Sequence, residues 1–114
     1  NFNIIDCRFS VIEKVNAFIQ NHFKDSQFQI TDLCREVNLS RSQLYRKTKA
    51  LLGENIGDYL QNKRLAHAEE LLQKSELSIS EIAYASGFSS PHYFATVFKQ
   101  KYNMSPSQFR TLDK

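Results

Sequence analysis

One pattern occurs twice in this sequence, and that duplication constrains the fold more than any single motif does. Ile30-Thr31-Asp32-Leu33-Cys34 aligns with Ile79-Ser80-Glu81-Ile82-Ala83 at an offset of 49, and Asn38-Leu39-Ser40 aligns with Gly87-Phe88-Ser89 at the same offset. Beyond the turn the offset becomes 50, pairing Leu44 with Phe94, Thr48 with Phe98, Lys49 with Lys99 and Tyr59 with Phe109. Each copy holds a short helical segment and then Asn38 or Gly87, residues that tolerate the left-handed backbone of a tight helix exit. An apolar turn residue follows, Leu39 or Phe88, expected to lock the two helices together, and then a second helix that opens on polar groups. This is the helix-turn-helix layout, whose second helix presents its N-terminal residues to base edges in the major groove. A generic α-helical repeat would need about three units to bury a continuous core, and only two are present.

Apolar residues recur at helical spacing throughout, and no stretch alternates long enough for a strand. The expectation is therefore an all-α fold of seven helices. The stripe Phe9, Ile12, Val15, Phe18, Ile19, Phe23 predicts a first helix over about residues 10–23, broken by Asp25-Ser26. A short second helix starts near Thr31, capped by Thr31 or Gln29, with Ile30, Leu33, Cys34 and Val37 on its apolar side. Ser40-Arg41-Ser42-Gln43 is a capping box, in which serine and glutamine side chains satisfy free backbone donors. It opens a third helix to about Leu52, with Leu44, Thr48, Leu51 and Leu52 inward and Gly53 as the stop.

Ile56, Tyr59, Leu60, Leu65, Ala68, Leu71 and Leu72 make one helix of about 19 residues, about 28 Å long at the standard rise. Ser78-Ile79-Ser80-Glu81 is a second box, opening a helix with Ile82 and Ala83 inward and Ala85 a further candidate, stopped by Gly87. Ser90-Pro91 supplies an N-cap and an N1 proline. The helix after it runs to about Lys101, with Tyr93 or Phe94, Val97, Phe98 and Tyr102 inward. Ser105-Pro106-Ser107-Gln108 repeats cap, proline and box for a last helix to about Thr111. The expected organisation is a tail from an upstream region at 1–9, a first helix-turn-helix subdomain at 10–55, the connecting helix at 56–74 and a second subdomain at 75–114. The opening residues and the absence of an initiating methionine fit a fragment of a longer protein.

Net charge is only +3 with a pI near 8.9, but its distribution is informative. Residues 41–64 carry Arg41, Arg46, Lys47, Lys49, Lys63 and Arg64 against Glu54 and Asp58; residues 88–110 carry Lys99, Lys101 and Arg110 with no acid. Between them, residues 65–87 are acidic. Two basic blocks coincide with the two second helices, which points to two meetings with a polyanion. No apolar run of about 18 residues exists, so nothing reads as a membrane span. Cys34 falls on an apolar helix face and is expected to be a buried free thiol, and His22, His67 and His92 share no metal-ligand spacing with Cys7 or Cys34. No metal, no cofactor and no enzyme chemistry is expected: paired carboxylates, an activated nucleophile and a phosphate loop are all missing from the pattern.

With these motifs placed, the sequence resembles the DNA-binding domain of the AraC/XylS family of bacterial transcription regulators over about residues 10–112. In the second half the resemblance rests on Ile79-Ser80-Glu81-Ile82-Ala83, Gly87-Phe88, Tyr93-Phe94, Phe98-Lys99 and Ser105-Pro106-Ser107-Gln108-Phe109-Arg110. In the first half it rests on Leu33, Ser40 to Arg46, and Arg64-Leu65-Ala68-Leu71-Leu72. Asn38 stands where the family often has Gly, and Thr48 where Phe is common. The resemblance implies a longer parent with an upstream sensing or dimerising part, as in effector-binding, two-component or hybrid sensor-kinase regulators. Such a parent is expected to touch RNA polymerase and to act as an activator, and a dimeric form is compatible with it. The domain alone is expected to be a cytoplasmic monomer without membrane contact, although a hybrid kinase parent would be membrane-anchored.

Helical periodicity puts Arg41, Ser42, Tyr45 and Arg46 on the outer face of the first recognition helix, and the resemblance carries base contact onto Ser42, Tyr45 and Arg46. Arg46 leads, because a guanidinium can bond a guanine edge in two places. The matching positions of the second copy are Pro91, His92, Ala95 and Thr96, small and weakly polar, suited to thymine methyls and DNA shape. Ser40, Lys47, Lys49, Ser89, Ser90, Lys99 and Lys101 are the candidates for phosphate contacts. Arg64, amid acidic neighbours, is expected in a structural salt bridge. Successive major grooves lie about 34 Å apart, so a stiff connector implies bent DNA or a weakly docked second unit. The alternative function is a helical protein-interaction module without sequence-specific DNA binding.

Overall fold

A computed structural model describes residues 3–112, with side chains from residue 11 onward. Among the described residues there are seven helices and no strand: α1 Asn3–His22, α2 Ile30–Val37, α3 Arg41–Leu52, α4 Ile56–Lys74, α5 Ile79–Ala85, α6 Pro91–Tyr102 and α7 Pro106–Leu112. None of them is long and apolar enough to cross a membrane. α1 begins well before the expected residue 10, so residues 3–9 of the expected tail form its first turns. No glycine or proline interrupts them, and although Ser10 and Glu13 have the spacing of a capping box, the helix runs straight through them. The side chains of Phe9 and Cys7 lie outside the described residues.

Two compact units divide the chain. The first comprises α1 and Phe28–Gln61, the second Phe23–Gln27 and Asn62 onward, so α4 contributes its first turns to one and the rest to the other. In the first unit α1, α2 and α3 pack on one another, burying Ile12, Val15, Ile19, Phe28, Leu33, Leu44, Ile56 and Leu60. Tyr59 of α4 donates its hydroxyl to Asn16 of α1. In the second unit Leu65, Ala68 and Leu72 of α4 join Ile82, Ala83, Phe88, Phe94, Val97 and Phe98, with Tyr102 and Phe109 packed against them. Phe88, Phe94, Phe98 and Phe109 form a chain of ring contacts with centroids 5.0–5.6 Å apart.

The caps form as the sequence demands. Ser40 and Gln43 exchange their bonds at the start of α3, Ser78 and Glu81 at α5, and Ser105 and Gln108 at α7. Ser90 accepts from the Tyr93 amide ahead of α6. At α2 the cap is Gln29, whose amide donates to Asp32. Asn38 and Gly53 take left-handed exits at φ 57° and 81°.

Some inward assignments do not hold. Leu51 is 43 % exposed and Ala85 is exposed, because each sits in the last turn of its helix, past the facing element. Cys34 is half-buried, and of the Tyr93/Phe94 pair Phe94 is the core residue. Arg64 makes hydrogen bonds to backbone where a salt bridge was expected: Nε donates to Phe23 O at 2.7 Å and Nη2 to Asp25 O at 3.1 Å. Arg110 does the same at the C-terminal end of α4, with Nε to Leu72 O and Nη2 to Ser75 O, both 3.2 Å. Each guanidinium fork thus satisfies main-chain carbonyls at or just beyond the end of a helix, α1 for Arg64 and α4 for Arg110.

Candidate nucleic-acid interface

The duplicated motif is built by duplicated bonds. Leu39 N–H donates to Cys34 O at 3.1 Å, and Phe88 N–H donates to Ala83 O at 3.0 Å, the same bond 49 residues apart. Asn38 and Gly87 both have positive φ. The N-caps Ser40 and Ser90 differ by 50, which puts the extra residue of the second turn at Ser89. Phe88 is buried and rests 5.0 Å from the Phe94 ring, so it locks its unit as expected; Leu39 is half-buried.

Leu44 and Thr48 anchor α3 from within, both wholly buried. The Thr48 hydroxyl donates to Leu44 O at 2.9 Å, which satisfies a polar group at a core position. With that stripe inward, Ser42, Arg46 and Lys49 lie opposite it, and all three are exposed. Tyr45 is half-buried beside them, and the Arg41 guanidinium lies 5.9 Å from its ring centroid. Such a cation–π contact holds a long side chain in a defined place at the start of the helix. Tyr45, Arg46, Lys49, Ala50 and Asn55 line an open hollow beside this face.

In α6 the anchors are Phe94, Val97 and Phe98. His92, Thr96 and Lys99 are exposed at the register positions of Ser42, Arg46 and Lys49; Ala95 and Pro91 are half-buried. The Thr96 hydroxyl donates to His92 O at 3.1 Å, so its proton is used within the helix. Ser40, Ser89 and Ser90 cluster at the two helix starts, with Ser40 and Ser89 exposed and Ser90 half-buried.

Two lysines separate from this picture. Lys47 is half-buried on the flank of α3. Lys101 follows Phe94 and Phe98 at helical spacing, off the outer stripe, and its ammonium donates to Asn62 at 2.8 Å. Sequence periodicity already placed Lys101 with Phe94 and Phe98; its basic charge obscured that signal. The helix-closing roles of Arg64 and Arg110 had no sequence signal, since their acceptors are main-chain atoms.

Comparison with known proteins agrees with this geometry. The family model described as "Helix-turn-helix domain" matches residues 33–111. Histidine kinase P4 of Formosa agariphila is 32% identical over 100 residues, 88% of this chain and 7% of that protein. The HTH-type transcriptional activator RhaR of Salmonella dublin is 35% identical over 105 residues, 92% of this chain and 37% of that protein. The chain therefore spans well under half the length of these relatives. Among solved structures, the C-terminal domain of the two-component response regulator yesN from Fusobacterium nucleatum superposes with a TM-score of 0.86 at 36% identity, covering 89% of this chain and 98% of that one. The DNA-binding domain of AdpA, solved in complex with a target DNA, gives 0.83 at 28% identity over 90% of each. With the matching family model spanning most of the chain and both copies of the turn present in the fold, the protein belongs to the AraC-type helix-turn-helix family.

Proposed function

We propose that this chain binds double-stranded DNA sequence-specifically in the major groove, as the output domain of a bacterial transcription activator. The observation that carries it is the pair of capped helices, α3 and α6, each offering an exposed outer stripe at matching register. The stripes differ in chemistry. Arg46, Ser42 and the stacked Arg41–Tyr45 pair suit hydrogen-bonded reading of base edges, with Arg46 on a guanine. Thr96 and Ala95, with Pro91 and His92, suit thymine methyls and groove shape. Ser40, Lys49, Ser89, Ser90 and Lys99 flank the stripes and serve the phosphates, with Lys47 at the edge of that set. Likeness to a response-regulator domain and to a histidine kinase supports a parent regulated by phosphotransfer, contacting RNA polymerase when bound.

The test is selection of bound sequences from random duplex DNA by the wild-type chain and by Arg46→Ala. A defined motif is expected from the wild type. The variant should lose about 1–3 kcal/mol of discrimination at one guanine position. No enriched motif, or one that Arg46→Ala leaves unchanged, overturns the assignment.

A further inference from the structure

The turn that precedes α6 does not stand alone. Gly87 has φ +95°, and a Cβ there would lie 2.0 Å from Phe23 O and 2.7 Å from Arg64 Nε. The turn backbone therefore rests directly on the Phe23 carbonyl, which Arg64 Nε holds at 2.7 Å while Nη2 holds Asp25 O at 3.1 Å. Three residues along α4, His67 sets its ring edge-to-face against Phe23 with centroids 5.4 Å apart. The same ring places Nδ1 3.1 Å from the hydroxyl of Ser86, which is wholly buried. Phe23–Gln27, a short strap more than 50 residues upstream, is thus part of the second unit.

The first copy is built differently at this position. Its left-handed residue is Asn38, which carries a side chain and is exposed. Burial pushes the Arg64 guanidinium down from the ordinary arginine value, against the opposing charge of Asp25. Only Phe88, Ser89 and Ser90 separate Gly87 from the first residue of α6, and Phe88 is packed on Phe94. A shift of the turn therefore passes to the end of α6 that carries His92, Ala95 and Thr96.

We infer that the Phe23–Gln27 strap is a working part of the second recognition unit, and that Arg64 is a positioning residue which aims the N-terminal end of α6. Its consequence for DNA rests on the function proposed above; its consequence for the turn does not. The experiment compares wild type with Arg64→Met, which keeps the apolar stem without the donors, and Arg64→Lys, which keeps the charge with a single donor group. Amide NMR shifts are recorded on each, and footprints are taken on the duplex recovered by selection.

In Arg64→Met the amides of Gly87, Phe88 and residues 92–96 should move while those of α2 and α3 stay. Protection of the second unit's portion of the DNA should weaken about tenfold, and the first unit's should stay within about twofold. Arg64→Lys should recover part of both effects. Should Arg64→Met not fold, Phe23→Leu, which thins the contact with His67, is expected to move the same amides. Amide changes spread evenly over the chain, no change near Gly87, or equal loss of protection by both units overturns the inference. A wild-type chain that selects no sequence overturns the DNA assignment, and the amide shifts then decide the role of the strap by themselves.

Discussion

His67 is a residue whose titration reports on the fold. Burial holds its pKa below the ordinary 6.5, reinforced by the charge of Lys24 and opposed by Glu70. The unfolded chain therefore takes up a proton at this site before the folded chain does. Stability is complete above about pH 6.5 and declines as the pH falls below it, flattening only once the folded ring also protonates. Urea midpoints from pH 7.5 down to 5.5 should fall, and His67→Gln should shallow the decline; an NMR midpoint for His67 above 6.5 overturns this. Arg64 teaches a related lesson about what sequence can reveal. Its acidic neighbours suggested an ion pair, yet its partners are two carbonyls about 40 positions upstream. Side-chain patterns carry no record of main-chain acceptors, so a role of that kind becomes visible only in three dimensions.

Among the elements, α5 depends heavily on its cap. It has seven residues, too few to be stable by propensity alone, and Ser78 and Glu81 satisfy two of its free donors. Ser78→Ala should cost about 1 kcal/mol in a urea melt with the slope unchanged; a loss below about 0.3 kcal/mol would contradict the importance of this cap. Such boxes are also why most helix starts were legible: α3, α5, α6 and α7 all begin on a serine whose partner lies three residues on. The start of α1 was not legible, since Ser10 and Glu13 have capping-box spacing inside the helix and point to a start there. Leu51 and Ala85 went wrong for a different reason. Periodicity specifies which side of a helix a residue occupies, not whether anything faces it in the last turn.

For the whole molecule, the distribution of lysines yields a test that separates a DNA-binding domain from a helical module for protein partners. Each phosphate neutralised contributes about −0.9 to the slope of log K against log salt. Lys49 and Lys99 hold matching exposed positions on the two outer stripes, so Lys49→Gln and Lys99→Gln should each reduce the slope by about 1. Lys101→Gln should leave it nearly unchanged, because that ammonium is on Asn62. Binding without salt dependence, or equal effects from all three lysines, contradicts the interface described here.

The separation between anchoring and outward stripes bears on how such a protein can change its target. In α3 the side chains that hold the helix in place, Leu44 and Thr48, are wholly buried, whereas Ser42 and Arg46 are exposed. Substitutions at exposed positions of this kind usually alter stability by less than about 0.5 kcal/mol. On the function proposed above, mutation explores new target sequences through Ser42, Arg46, His92 and Thr96 with little effect on folding. Gly87, wedged against Phe23, has no such latitude. Evolvability in this chain is thus concentrated on two narrow strips, and the rest of the fold is free to stay as it is.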